Sequence, residues 1–157
     1  MRQRAEHDDL TVIRLTPDDG LHFNAMLDLF ADAFDDPVSY SSARPSVAYQ
    51  RRILAQDSFV SLVAIWEGSV VGALVAYQLR KFEQERSEFY IYDLAVAENY
   101  RRRGIATAMI DRLKEIAGNS DTWIIYVQAD QGDEPAIALY SGLGSREDVL
   151  HFDIALD

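Results

Sequence analysis

Arg101, Gly104 and Ala106, set just beyond the β-rich run Glu88-Phe89-Tyr90-Ile91-Tyr92-Asp93-Leu94-Ala95-Val96, have the types and spacing that bear most directly on chemistry. Backbone N–H groups at a helix start lack intrahelical partners and carry the positive end of the macrodipole. A turn that delivers a strand into a helix, as Arg101-Arg102-Arg103-Gly104-Ile105-Ala106-Thr107 does, is therefore suited to hold a pyrophosphate. Gly104 removes the side chain where the anion must approach the backbone, and Ala106 and Thr107 keep the first helical turn narrow. The arginines add charge that can close over the anion. A solvated basic run is the plainer alternative, but a triple arginine is unexpected on so acidic a chain. Neither G-x-x-x-x-G-K-S/T nor G-x-G-x-x-G with a following acidic residue is present.

A second constellation is Ala136-Ile137-Ala138-Leu139-Tyr140-Ser141-Gly142-Leu143-Gly144. On a helix Ala136 and Tyr140 lie one turn apart on one face, a small residue beside a phenol. Carboxylates accompany both segments. Glu88 shares alternation parity with Tyr90, Tyr92, Leu94 and Val96, whereas Asp93 takes the opposite face unless a bulge intervenes. Asp130, Asp133 and Glu134 follow the next apolar run. Each carboxylate can take a proton, directly or through water, or bind a cation. The last three equally suit a turn and helix N-terminus, where negative charge is favoured anyway. His7, His22 and His151 form no metal spacing, nor does any other residue set. With no cysteine, disulfides, thiolate nucleophiles and cysteine metal sites are excluded.

These residues need a scaffold. Leu10–Thr16 reads as a strand, followed by a helix with Thr16 as N-cap and Pro17 at its first position. That helix places Phe23, Met26, Leu27, Phe30, Ala33 and Phe34 on one face and ends near Asp35-Asp36-Pro37. A loop, Val38–Pro45, leads to a short helix around Ser46–Ala55. Phe59–Trp66 and Val70–Arg80 read as a hairpin turning at Glu67-Gly68-Ser69. A charged bend, Lys81–Ser87, precedes the Glu88–Val96 strand. The helix after Gly104 buries Ile105, Met109, Leu113, Ile116 and Ala117. Thr122–Asp130 is a strand whose apolar run suggests cover on both faces. Asp133-Glu134-Pro135 opens a last helix to about Ser141, and Arg146–Ala155 offers one or two closing strands. The order β-α-α-β-β-β-α-β-α-β describes an α+β fold, a mixed sheet flanked by helices, in a single domain over residues 1–157.

The chain has 15 basic and 26 acidic residues, a net charge of −11. That opposes sequence-independent nucleic-acid binding, which relies on basic surface, and suits a cationic small-molecule partner, although acidity also serves solubility alone. There is no apolar run long enough to span a bilayer and no signal-peptide core at the N-terminus, so a cytoplasmic protein without membrane partners is expected.

The turn Arg101-x-x-Gly104-x-Ala106 resembles the R/Q-x-x-G-x-G/A pyrophosphate loop of the GNAT acetyltransferases. Ala136–Gly144 resembles their A-x-x-L-Y-x-x-L-G segment, and the element order resembles their mostly antiparallel fold over the whole chain. The resemblance implies acetyl-CoA as co-substrate and no metal. It also implies a backbone N–H at Val96 for the thioester oxyanion, Leu94 and Ala95 pairing with the pantetheine arm, and the loop Arg101–Thr107 on the pyrophosphate. Ala136 and Leu139 then flank the cofactor, with Tyr140 protonating the leaving thiolate. A neutral amine attacks the thioester directly, so no covalent nucleophile is needed. Glu88 is the first choice of general base, with Asp93, Asp130, Asp133 and Glu134 as alternatives.

Within that family, Lys81-Phe82-Glu83-Gln84, Ser87-Glu88, Tyr90–Val96, Gly104–Ala108, Ile125–Asp130 and His151-Phe152-Asp153-Ile154 resemble the aminoglycoside 3-N-acetyltransferases of type I. Arg103 stands where that group usually has Gln, and the N-terminal lead is longer. The resemblance implies transfer to the 3-amino group of a 2-deoxystreptamine aminoglycoside, antibiotic resistance, and a homodimer. Asp35, Asp36, Glu88, Tyr92, Asp130, Asp133 and Glu134 are the expected contacts to the polycation. The alternatives are another amine acceptor (polyamine, amino sugar or protein amine) and a coenzyme A-binding sensor without turnover.

Overall fold

Alternating β-branched and aromatic residues build a five-stranded sheet. The computed structural model describes residues 9–156, so His7 and the residues before Asp9 lie outside the described residues. Strand β1 (Leu10–Arg14) pairs antiparallel with β2 (Phe59–Trp66), β2 with β3 (Ser69–Arg80), and β3 with β4 (Ser87–Val96). Strand β5 (Thr122–Val127) completes the order β1-β2-β3-β4-β5. It is reached from β4 through a helical crossover, and Ser87 N–H donates to the Asp121 carbonyl at 3.1 Å, one strand start beside the other. The sheet is therefore mixed, as the element order predicts. Among the described residues five helices accompany it: α1 (Gly20–Ala33), α2 (Pro37–Ser41), α3 (Val47–Leu54), α4 (Ile105–Gly118) and α5 (Glu134–Ser141). The chain divides into two compact units, Met1–Tyr126 and Val127–Asp157.

In the first unit each sheet face has its own helix. Phe23, Met26, Leu29 and Phe30 of α1 form one buried cluster with Phe59, Val63, Ala73, Val75 and Ala95. On the opposite face α4 lies so close to β3 that a Cβ at Gly72 would stand 3.0 Å from Ile105 Cγ2 and 3.0 Å from Met109 Cε. Gly72→Ala is thus expected to cost roughly 1–3 kcal/mol by overpacking, read as a lowered midpoint in thermal denaturation. An unchanged midpoint would show that the Met109 side chain yields freely.

Helix α1 begins later than its sequence suggests. Asp19, not Thr16, is the residue before the helix; its carboxylate accepts from Thr16 N–H at 2.7 Å and from the Thr16 hydroxyl at 3.0 Å. The Thr-Pro-Asp-Asp segment folds as a turn, and β1 correspondingly stops at Arg14. The expected loop after residue 37 holds α2, because Asp36 accepts from Ser39 N–H at 3.0 Å and Pro37 sits at the first helical position. Strand β5 ends at Val127, and its Trp123 and Ile124 are 52% and 41% exposed, so it is an edge strand without two covered faces. Residues 146–155 form no strand; Leu150, Phe152 and Ile154 alternate as a strand would, but pattern alone supplies no pairing partner.

The largest departure lies in β4. Val75 pairs with Asp93 but Ala76 pairs with Ile91, leaving Tyr92 as the extra residue of a β-bulge. Residues paired across a sheet share a face, so Glu88 and Tyr90, opposite Leu79 and Tyr77, lie on the α1 side. Beyond the bulge Asp93 and Ala95, opposite Val75 and Ala73, take that same side. Leu94 and Val96, opposite Leu74 and Gly72, are sent to the α4 side. The simple alternation that grouped Glu88 with Leu94 and Val96 is thus broken, and Asp93 replaces them on the Glu88 face.

Candidate active site

Two features converge on the end of β4. The first is the basic turn. A single 3-10 turn, Glu98–Tyr100, leads into Arg101, and Gly104 takes φ 76°, a left-handed conformation that glycine adopts without strain. No side chain caps the N-terminus of α4, and no acidic residue lies in its first turn. The first-turn N–H groups of Ile105, Ala106 and Thr107 are thus left for an external anion. The three arginines divide their work. Arg101 Nε donates to the Val96 carbonyl at 3.1 Å, tying the turn to the strand end. Arg103 lies over the rings of Tyr100, at 5.3 Å, and Trp66, at 5.7 Å. Arg102 is exposed, with a left-handed backbone at φ 62°.

The strand end itself presents backbone groups. Ala97 N–H donates to the Val71 carbonyl of β3 at 2.8 Å. Successive N–H groups along a strand point to opposite edges, so those of Val96 and Leu94 point away from β3. Val96 therefore has the direction an oxyanion donor needs, and Leu94 the direction needed to pair with an extended arm. Ala95 turns its peptide toward β3 and its side chain into the α1 core.

The second feature is an aromatic and acidic wall on the α1 side of β4. Tyr77 meets Tyr92 edge-on at 5.8 Å, Tyr92 meets Tyr90 at 5.8 Å, and Tyr90 stacks on Tyr126 at 4.8 Å. Tyr40, from α2, packs against Phe30 and Phe34 at 5.6 and 5.7 Å, and its hydroxyl donates to Asp93 Oδ2 at 2.8 Å. Burial pushes the Asp93 carboxyl above the ordinary carboxylate range, opposed by that hydrogen bond. Burial, then the Asp93 bond and charge, push the Tyr40 phenol up as well. Glu88 is held differently, with Lys81 Nζ 3.3 Å from its Oε1. Asp35 is exposed, while Asp36 caps α2, and the hydrogen bonds from Ser39 hold its carboxyl below the usual value.

In the second unit, Asp133 caps α5 by accepting from Ala136 N–H at 3.2 Å, Glu134 lies in the first turn, and Asp130 is exposed. Ala136, Leu139 and Tyr140 are half-buried on that helix. Burial, with the Asp133 charge, pushes the Tyr140 phenol up to about 12. Among the described residues no group of three His, Cys, Asp or Glu is placed to hold a metal, and no helix is long and apolar enough to cross a membrane.

Residues 23–144 match the acetyltransferase (GNAT) family. The chain belongs to that family. The GNAT family uses acetyl-CoA as acetyl donor, and the uncapped α4 terminus and the Leu94 and Val96 N–H groups directed away from β3 suit such a ligand. The aminoglycoside acetyltransferase HMB0005, from an uncultured soil metagenomic sample, is 53% identical to this GNAT protein, with a TM-score of 0.92 over 94% of this chain and 99% of that one. The aminoglycoside acetyltransferase meta-AAC0020, also from an uncultured soil metagenomic sample and solved in complex with sisomicin, is 29% identical, with a TM-score of 0.87 over 95% and 97% of the two chains. An N-alpha-acetyltransferase of Saccharolobus solfataricus is 32% identical over 101 residues; the match spans 60% of the length of each.

Local motifs singled out the turn, Val96 and Tyr140 as candidates, and the structure places the turn at the start of α4, Val96 at the end of β4 and Tyr140 on α5. Sequence reasoning missed Tyr40, Tyr77 and Tyr126 as wall residues and left the face of Asp93 dependent on a bulge, which the structure contains. The clustering of Tyr90, Tyr92 and Asp93 was the available signal, but only the bulge reveals that Tyr90 and Asp93 share a side.

Proposed function

We propose that this acetyltransferase moves the acetyl group of acetyl-CoA to an amine of an aminoglycoside, at the 3-amino group of 2-deoxystreptamine, by direct attack in a ternary complex. The observation that carries this reading is the wall on the α1 side of β4, where carboxylates alternate with tyrosine rings. Carboxylates bind ammonium groups, and ring faces take both sugar C–H faces and cations. A net charge of −11 favours approach of such a polycation. The similarity to HMB0005 over nearly the whole chain supports the same substrate class. The regiochemistry rests on the segments from Lys81 to Ile154 that resemble the type I enzymes, and antibiotic resistance, a cytoplasmic site of action and a homodimer belong to the same reading.

In this scheme the α4 N-terminus, with Arg102, holds the pyrophosphate, and the Leu94 backbone pairs with the pantetheine arm. The Val96 N–H stabilises the oxyanion, a contribution of about 3–4 kcal/mol for one such donor. Tyr140 protonates the thiolate. Asp35, Asp36, Glu88, Tyr92, Asp130, Asp133 and Glu134 serve the acceptor. The similarity to an N-alpha-acetyltransferase favours a second reading, a peptide amine as acceptor.

Coenzyme A release measured with gentamicin, a polyamine and an N-terminally free peptide separates them. Release with gentamicin, acetylated at the 3-amino group by NMR, is the expected result. Release with the peptide alone would replace the acceptor and keep the chemistry.

A further inference from the structure

We propose that Lys81 is an internal occupant of an ammonium-binding site built by Glu83 and Glu88, and that an acceptor carrying several ammonium groups binds by displacing it. This rests on the reading of the acceptor as a polycation and names one place where such a molecule is selected.

The geometry is that of a filled site. Lys81 Nζ lies 3.3 Å from Glu83 Oε1 and 3.3 Å from Glu88 Oε1, so two carboxylates close on one ammonium. The ammonium only donates and the carboxylates only accept, so an ammonium brought by a ligand can make the same contacts. Without a cation between them the two carboxylates would repel each other across a short gap. The bonds to Glu83 and then Glu88 raise the proton affinity of Lys81, which keeps it charged. Glu83 is held below the ordinary carboxylate value, first by its own backbone N–H and then by Lys81, so it stays ionised.

This site continues the aromatic wall. Glu88 shares the α1 side of β4 with Tyr90. Tyr126 stacks on Tyr90 and feels the charges of both Glu88 and Lys81. An acceptor lying along these rings therefore meets the Lys81 ammonium at the end of the wall remote from Val96. Glu88 and Val96 are eight residues apart, about 26 Å along a strand that rises ~3.3 Å per residue. Only an extended acceptor engages both ends.

The Lys81 side chain is not what holds its own segment together. Backbone bonds close the bend from Lys81 to Ser87: the Lys81 N–H donates to the Arg86 carbonyl at 2.9 Å, and the Arg86 N–H to the Gln84 carbonyl at 2.8 Å. Arg86 is held separately, with its guanidinium 4.0 Å over the Trp123 ring. Among the described residues Lys81 has no ion pair besides Glu83 and Glu88. Its ammonium is thus free to leave without unmaking the hairpin. A tethered ammonium competes at high effective concentration, so a lone amine or an alkali cation is kept out. A polycation anchored through its other ammonium groups competes on equal terms, and the pair of carboxylates thereby selects for charge number.

The test is titration calorimetry of gentamicin and of spermine into wild type, Lys81→Met and Glu83→Gln, each with coenzyme A present. Lys81→Met is expected to bind gentamicin about three- to tenfold more tightly, because the internal competitor is gone. Glu83→Gln is expected to bind it several-fold less tightly. A second readout follows Lys81 itself. Lys81 and Lys114 are the only lysines in the sequence, so isotope-labelled lysine gives two NMR titrations to tell apart. Saturating gentamicin should move the Lys81 titration to lower pH and leave that of Lys114 in place, which a purely structural ion pair would not show. Unchanged or weaker binding in Lys81→Met, or a Lys81 titration unmoved by bound gentamicin, overturns the proposal and leaves the aminoglycoside reading standing. If Lys81→Met fails to fold, the wild-type NMR titration decides. Binding of spermine with no binding of gentamicin overturns the aminoglycoside reading alone, and the variants are then compared on spermine. No binding of either amine to wild type or variants overturns both.

Discussion

Replacing Tyr140 with Phe is expected to lower kcat by about 100-fold, within the usual range for a lost general acid, with little change in the KM for either substrate. The hydroxyl is the only group removed, so packing on α5 is preserved. Its chemistry is set by environment. Burial first, and the Asp133 charge second, hold the phenol protonated up to about 12, so it can donate throughout the range in which amines are assayed. The wild-type kcat should therefore show no descending limb from this residue until the pH nears that value. The same shift has a sign for stability. A folded-state value raised above the ordinary phenol value of 10.0 means that the unfolded chain releases the proton first. The neutral phenol's contribution is intact below that value and is lost as pH rises through the window up to about 12. Denaturation midpoints of Tyr140→Phe should accordingly fall less than those of wild type between those limits. Unaltered kcat in Tyr140→Phe would remove the residue from the chemistry.

Gly104→Val is expected to weaken coenzyme A binding by at least about tenfold and leave amine binding unchanged. Two costs add. A β-branched residue at φ 76° is strained by about 1–2 kcal/mol, and either the strain is borne or the turn shifts. Its side chain then stands where the anion approaches the uncapped N–H groups of α4, so part of that electrostatic contribution is lost as well. Titration calorimetry with coenzyme A reads both. Desulfo-coenzyme A should show the same loss, since the defect lies at the phosphate end. Unaltered affinity would mean that the pyrophosphate does not use this turn.

The features legible from sequence are those whose cause is local. Asp133-Glu134-Pro135 opens α5 because a carboxylate caps a helix and proline tolerates its first turn, whatever the rest of the chain does. Gly104 ends the approach to α4 because a left-handed residue is needed there, and the 3.6-residue spacing of Ile105, Met109 and Leu113 fixes the buried stripe. Ser46 caps α3, and the Glu67-Gly68 turn closes the β2–β3 hairpin. From these alone came the basic turn before α4, the strand that leads to it and the placing of Tyr140 on α5.

What tertiary structure decided are the features whose cause lies in another element. Nothing in Tyr-Ile-Tyr-Asp-Leu specifies which residue bulges. The register against β3 does, because Tyr77 and Val75 must find partners while Ala73 and Ala95 stay in the α1 core. That one extra residue exchanges the faces of Asp93 and Leu94 and so brings Asp93 onto the side that carries Glu88 and Tyr90. Tyr40 was hidden in a segment without periodicity and gains its meaning only from a hydrogen bond to a residue 53 positions away. Arg103 was grouped with its neighbours by charge and is drawn aside by the rings of Trp66 and Tyr100. Backbone conformation at caps and turns is a short-range property that a few residues determine, whereas facing, pairing and proton affinity depend on what the fold brings alongside.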